Sequence, residues 1–277
     1  MLPVSRKGYW RNLKKRLDVL LAEKNIFSSR EKAKTSVMAG LVYVDGQRID
    51  KPGTPVKEDA EIVVKQALCP YVSRGGLKLE KAIDAFGFSL RDVAAVDIGA
   101  STGGFTDCML QNRARKVFAI DVGYGQLDWK LRNDSRVVNM EKVNVRYLDT
   151  SLIDERIDFI SIDVSFISLK LVLPVAAKLL SEDGCLVCLV KPQFEAGREQ
   201  VGKKGIVRDA RVHEEVIEKV IGYGADNGLY SHGLTYSPIT GAKGNIEYLL
   251  FMKKTPNASN PDIAGVVEDS HMMNGHK

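Results

Sequence analysis

The chain has 277 residues, of which 44% are hydrophobic and 27% charged, a globular mixture able to bury a core. No apolar run approaches the roughly 18 to 20 residues of a membrane span, and no apolar stretch follows the basic N-terminus, so neither a membrane protein nor a secretory signal is expected. Four cysteines without framework spacing argue against a disulfide scaffold and fit a reducing cytoplasm.

The net charge of +5 is unevenly distributed. Between Ser5 and Lys34, ten Lys or Arg stand against Asp18, Glu23 and Glu31, a local +7, so the remainder is slightly acidic. A basic segment on a near-neutral body points to a polyanion held at that end. By charge alone, a solvated helix surface would look the same.

Residues 1–12 read as an N-terminal extension. From there Leu13, Leu17, Leu20 and Leu21 recur at helical spacing, with Lys14, Lys15 and Arg16 on other faces. Ser28 and Glu31 form a capping-box pattern for a second helix that carries Arg30, Lys32 and Lys34 and ends at Gly40. LVYV, the turn dipeptide Asp45-Gly46 and a strand beginning at Arg48 predict a hairpin, and Pro52, Gly53 and Pro55 turn the chain before EIVV. Two short helices and a small hairpin sheet make a compact α+β unit over residues 13–68. The string SREKAKTSVMAGLVYVDGQRI resembles the small RNA-binding domain of the S-four, or alpha-L, type. That resemblance implies that Lys14, Lys15, Arg16, Arg30, Lys32 and Lys34 contact RNA, through backbone and shape.

Residues 69–73, around Cys69 and Pro70, read as a linker. Beyond them VAAVDI, VFAID, IDFISID and CLVCLV alternate with segments long enough for crossover helices, which predicts a parallel sheet with helices on both faces over residues 74–254. Cys185 and Cys188 lie in CLVCLV, three apart, and on a strand they point to opposite faces as buried thiols rather than as a metal or redox pair. No metal site is expected.

Ligands of such sheets bind at the carboxyl ends of the strands. The first run ends in Asp97, Gly99, Ala100, Ser101, Gly103, Gly104 and Phe105, a glycine-rich turn that lets a ligand approach the backbone. A dinucleotide fingerprint needs glycine where Ser101 stands, to approach a pyrophosphate. S-adenosylmethionine has no phosphate and tolerates the side chain. Asp121, followed by Val122, comes about twenty residues on, where an acid takes a nucleoside's ribose hydroxyls. Asp149, after a further short strand, is expected at the adenine amino group.

Four polar residues gather around these strand ends. Asp163 ends IDFISID and begins Asp-Val-Ser-Phe; Lys191 ends CLVCLV, and Pro192 biases it to an extended conformation. Lys78 sits in the predicted helix SRGGLKLEKAI, and Glu247 opens the last strand in GAKGNIEYLLFM. All four are expected at the carboxyl edge beside the cofactor.

Together SRGGLKL, DIGASTGGFTD, DVGYGQL, RNDSRVV, DVSFISL and VKPQFE resemble the TlyA, or hemolysin A, family of ribosomal RNA 2′-O-methyltransferases, within the FtsJ-like group. The resemblance spans about residues 13 to 254. It implies a Rossmann-like methyltransferase sheet that binds S-adenosylmethionine through the glycine-rich turn, Asp121, Val122, Asp149 and Asp163. It also implies a catalytic tetrad of Lys78, Asp163, Lys191 and Glu247, and a cytidine of ribosomal RNA or ribosomal subunits as substrate. In that reading Lys191 takes or polarises the hydroxyl proton.

Rival readings carry their own signatures. Amine methylators have rigid prolines after the Asn or Asp at this strand end, where this chain has Val-Ser-Phe; base-carbon methylators need a cysteine in a strand-end loop. A membrane-lytic protein needs a long apolar or amphipathic segment. A non-catalytic RNA-binding assembly factor would keep the basic domain without needing the tetrad. Gly197 to Lys204 reads either as a mobile loop closing on RNA or as a plain surface loop. Residues 255–277 are polar and read as a disordered tail, in which His271 and His276 receive no role.

Overall fold

The computed structural model describes residues 14–27, 29–38, 40–64, 69–257 and 260–275. The chain divides into two compact units, Met1–Leu68 and Cys69–Lys277.

In the first unit β1 (Lys14–Arg16) leads into α1 (Leu17–Glu23) and α2 (Arg30–Met38), followed by β2 (Val42–Val44), β3 (Gln47–Ile49), β4 (Pro55–Lys57) and β5 (Ile62–Val64). β2 pairs antiparallel with β3 across the Asp45-Gly46 turn and with β5 on its other edge. Leu17, Leu20, Leu21, Ala33, Val37, Val42, Val44 and Val56 form the core. The expected helix therefore begins later than its leucine spacing suggests. Lys14, Lys15 and Arg16 lie on a strand, because they pair with β4 in the register Lys15↔Val56. Ser28, the Lys32 side chain and the 1–12 extension lie outside the described residues.

Several expected RNA-facing cations are engaged within this unit. The fully buried Asp18 accepts hydrogen bonds from Arg16 (3.0 Å) and Arg30 (2.9 Å). The Arg16 hydrogen bond is the largest influence holding its carboxyl at about 2, below the usual range. Lys15 pairs with Glu23 and Glu58, and Lys34 with Glu31. Such exposed pairs contribute little to stability, but they neutralise charge that RNA would otherwise meet.

The second unit comprises α3 (Gly75–Phe86), β6 (Ala94–Ile98), α4 (Gly104–Gln111), β7 (Lys116–Asp121), α5 (Trp129–Arg132), β8 (Val137–Glu141), β9 (Ile157–Ile162), α6 (Leu173–Leu179), β10 (Leu180–Val190), α7 (Pro192–Glu195), α8 (Ala210–Ala225), β11 (Tyr230–Tyr236), β12 (Tyr248–Lys253) and α9 (Ile263–Met273). Its seven-stranded sheet runs β11-β12-β10-β9-β6-β7-β8. The five strands β6 to β10 are parallel, whereas β12 is antiparallel to both β10 and β11. The sheet is thus mixed rather than wholly parallel, with the reversal confined to one side.

Side chains alternate between the two faces of the sheet, as strand geometry requires. Leu186, Cys188 and Val190 join the core cluster that takes in α6, α8 and α9, while Val187 and Leu189 join the cluster that takes in α3 and α4. The two cysteines therefore do diverge; Cys188 is buried and Cys185 half-buried.

Two segments differ from expectation. Residues 69–73 are built into the second unit rather than linking to it: Tyr71 is buried and bonds Glu80, and the Val72 amide donates to Asp107 at 2.8 Å. Within 255–277, expected as a disordered tail, the helix α9 docks on the sheet. Val267 and Ser270 are fully buried, and Ser270 Oγ lies 3.0 Å from Tyr248 Oη, which lies 2.6 Å from His213 Nδ1. His271, near His213, belongs to the same contact.

Candidate functional site

Alternation along the strands brings the site together. Phe159, Ser161 and Asp163 occupy one face of β9 and its extension, Val187, Leu189 and Lys191 one face of β10, and Glu247, Leu249 and Phe251 one face of β12. Phe159, Leu189 and Phe251 belong to the core under α3, the helix that carries Lys78. β9 and β10 end at the carboxyl edge. β12, being antiparallel, begins there, with Tyr248 opposite Val190.

The result is a chain of alternating charges. Glu247 Oε2 accepts from Lys78 Nζ at 2.6 Å, Lys78 Nζ lies 3.6 Å from Asp163 Oδ2, and Asp163 Oδ1 lies 2.6 Å from Lys191 Nζ. Lys191 also donates to Ser165 Oγ at 3.0 Å. Lys78, Lys191 and Glu247 are all buried. Buried charges persist only when paired and hydrogen-bonded, and each member here has its counter-charge.

Two adjoining hollows meet at Asp163; Lys78 and Lys191 line one of them, and Glu247 lines neither. One is lined by Ile120, Asp121, Val122, Gln126, Asn144 and Phe166, the other by Arg74, Lys78, Phe105, Lys191, Thr240 and Gly241; Gly99, Ser101, Asp163 and Ser165 line both. Asp121 accepts from the backbone amides of Ser101 and Gly123, each at 2.7 Å. Ala100, Gly104 and Phe105 belong to the second hollow.

Three expected cofactor residues are elsewhere. Gly103 lies behind the turn, against Leu127 and Leu131. Asp149 is exposed and outside both linings, its carboxylate capping the next turn through Ser151; Val143, Asn144 and Val145, which directly follow β8, line the hollow in its stead. Asp97 is fully buried and accepts from Thr106 Oγ1 (2.6 Å) and Ser161 Oγ (2.8 Å), fastening α4 to β9 behind the turn.

Burial raises the Asp97 carboxyl to about 6, against the Thr106 and Ser161 hydrogen bonds that lower it. Because the folded form then holds its proton more tightly than the unfolded chain, stability from this group is greatest below the unfolded value of 3.8 and is lost as pH rises through about 6. A shift of this size corresponds to about 3 kcal/mol. Asp97→Asn is expected to flatten the stability profile between about pH 4 and 6, measured by denaturant unfolding at fixed pH. An unchanged slope in that window would mean that Asp97 is not the group responsible.

Sequence reasoning did not single out Ser165, Phe166 or Glu195, although the first two stand in DVSF and the third in VKPQFE. Phe166 is 90% exposed, at φ +63°, and its ring meets that of Phe194 at 4.9 Å. The buried Glu195 accepts from Ser168 Oγ and the Leu169 amide, both at 2.7 Å, and burial raises its carboxyl. It ties the loop after β9 to α7, the short helix that follows β10.

Comparison with known proteins agrees with this geometry. Residues 71–254 match the FtsJ-like methyltransferase family and residues 15–62 the S4 domain. YqxC of Bacillus subtilis, named provisionally as an rRNA methyltransferase, is 51% identical over 265 residues, covering 93% of this chain and 94% of that one. The 16S/23S rRNA (cytidine-2′-O)-methyltransferase TlyA of Mycobacterium tuberculosis is 41% identical over 239 residues, 86% of this chain and 89% of that one. A solved hemolysin-type structure from Streptococcus thermophilus shares 50% identity at a TM-score of 0.76, covering 94% of this chain and 97% of that one. Fold, strand-end charges and these matches converge: the chain belongs to the FtsJ-like methyltransferase family and carries an S4 domain at its N-terminal end.

Proposed function

We propose that this chain methylates the 2′-hydroxyl of a ribose, a cytidine of ribosomal RNA, using S-adenosylmethionine, and that it works in the cytoplasm where ribosomes are made. One observation carries the reading: Asp163 lines both hollows and is paired with Lys78 and Lys191, which line the second, while Glu247 pairs with Lys78. The relative TlyA is named for this reaction.

The first hollow fits the cofactor. Its apolar side chains Ile120, Val122, Val143 and Val145 suit a purine, and Asn144 offers an amide. Asp121 already accepts one backbone amide on each oxygen, and each keeps a lone pair for a ribose hydroxyl. When bound, S-adenosylmethionine supplies an electrophilic methyl group on sulfur. The residues around the second hollow must then deliver a weakly acidic hydroxyl in line with it. Lys191 enters the step as the neutral amine, having released a proton to solvent. It takes the hydroxyl proton as the oxygen attacks, and the electrons of the methyl–sulfur bond leave with sulfur. Asp163 holds the ammonium so formed until its proton is released to solvent again. Lys78 fixes Asp163, Glu247 fixes Lys78, and Ser165 sets the direction of Lys191. Much of the acceleration comes from this positioning, which is worth about 7 to 11 kcal/mol in well-aligned systems.

A non-catalytic assembly factor would have no use for two lysine amino groups and two carboxylates held in register at a cleft. For the membrane-lytic reading, no helix among the described residues is long and apolar enough to cross a membrane. The deciding experiment maps ribose methylation across ribosomal RNA from cells with and without the protein, and repeats it with purified protein and unmodified ribosomal subunits. Loss and restoration of a 2′-O-methylcytidine is expected. An unchanged map, with no transfer in vitro, would overturn the reading.

A further inference from the structure

The sequence concentrates basic charge in the first unit, yet much of that charge is neutralised there, while further cations stand at the acceptor hollow and on the segments next to it. Arg74, exposed at the start of α3, lines one side of that hollow. On the other side, Gly241 and Ala242 form the wall, and the exposed Lys243 follows directly. The segment 197–211 lies beside that turn and carries Arg198, Lys203, Lys204, Arg208 and Arg211 against Glu199 and Asp209, a net +3 within an otherwise slightly acidic body.

Hydrogen bonds join the backbone of the two segments that carry the lysines. Asn245, 3% exposed, donates to the carbonyls of Gly205 (2.9 Å) and Ala242 (3.1 Å) and accepts from the Val207 amide (3.2 Å). It thus fastens the 202–207 segment to the turn that carries Lys243. Lys243 Nζ comes within 3.7 Å of where a side-chain carbon on Gly205 would stand, so Lys243 borders the segment whose Lys203 and Lys204 line a further hollow of their own. Beside the 197–204 loop, read in the sequence as either a closing loop or a plain surface loop, Gly205 N donates to Gly202 O at 2.7 Å and Gly202 N to Ile206 O at 3.1 Å. No ion pair among the described residues engages Arg74, Lys203, Lys204 or Lys243, whereas Lys15, Arg16, Arg30 and Lys34 are each paired with acids of their own unit.

We propose that Arg74, Lys203, Lys204 and Lys243 form a phosphate-binding rim that takes the backbone of an unpaired RNA segment on either side of the target ribose. The inference rests on the ribose-methylation reading above. A ribose 2′-hydroxyl brought to Lys191 carries a phosphate on each side of its own sugar, and those phosphates must lie at the mouth of the hollow. Cations with no acidic partner are the groups that bind there with least competition. An RNA duplex keeps the ribose in a stacked strand, so the rim suits a looped or splayed nucleotide. RNA affinity is then shared between the two units instead of residing in the first.

The test uses the full-length protein with Lys203→Ser, Lys204→Ser and Lys243→Ser combined, all surface positions, and a short single-stranded RNA as the probe. Binding is followed across a salt series, with calorimetric titration of S-adenosylmethionine and a melting curve as controls. Each phosphate contact contributes about 0.7 to the slope of log affinity against log salt for a single strand. The triple variant should therefore flatten that slope by about 2, with cofactor affinity and melting unchanged. Arg74→Gln should flatten it further, from the opposite side. An unchanged slope and affinity in both variants would overturn the rim. A flattened slope in a protein that leaves the ribose-methylation map unaltered would keep the RNA surface and reject the reaction.

Discussion

Replacing Lys191 with alanine is expected to slow single-turnover methyl transfer by about 100- to 10,000-fold, the range for losing a positioned proton acceptor, while S-adenosylmethionine binds nearly as before. The two effects separate because of where Lys191 sits. Its Nζ is held between Asp163 Oδ1 and Ser165 Oγ and faces the second hollow, whereas the groups suited to the cofactor's nucleoside line the first. Nor should the variant unfold. Asp163 keeps Lys78 as a counter-charge at 3.6 Å, so the substitution does not strand a buried carboxylate alone. Rapid-quench measurements on saturating RNA, paired with calorimetric titration of the cofactor, decide the matter. Wild-type single-turnover rates would remove Lys191 from the chemistry.

The parts of the fold legible in the sequence were those written in hydrophobic pattern. VAAVDI, VFAID, IDFISID and CLVCLV each became a parallel strand because a strand covered on both faces has to be apolar throughout. Direction was not legible. YLLFMK reads the same whether β12 runs with or against β10, yet only the antiparallel course brings Glu247 to the edge that holds Asp163 and Lys191. Pairing was not legible either: Lys14 to Arg16 extend a leucine spacing that suits a helix, and β4 draws them into a strand instead. In the tail, Ile263, Val266, Val267 and Ser270 do follow a helical spacing, with Asp262 as its cap, but polar residues on either side dilute it. Asp149 misled for a different reason. An acid suits an adenine amino group by residue type, whereas the strand-end rule, applied directly after Glu141, leads to Val143, Asn144 and Val145.

Gly99 joins these threads, and its replacement by alanine should cost far more activity than its size suggests. It sits at φ +86°, where a side chain costs roughly 1 to 2 kcal/mol. In addition, a methyl group at this position would run into the backbone carbonyl of Asp163. Backbone yields poorly, so the strand end or the turn must move. Gly99 lines both hollows, and Asp163 is the carboxylate shared by Lys78 and Lys191. A displacement of about 1 Å in such a site is enough to lower turnover about 100-fold. Gly87 provides the control: it ends α3 at φ +65°, with nothing within 4 Å of an added methyl group. Gly87→Ala should lose stability through the same backbone strain and keep its turnover. Gly99→Ala should lose turnover and weaken cofactor binding together. If both variants lost stability alike and both kept wild-type turnover, the close packing of the glycine-rich turn on Asp163 would be structural support only, and the site would tolerate a looser junction between its two hollows.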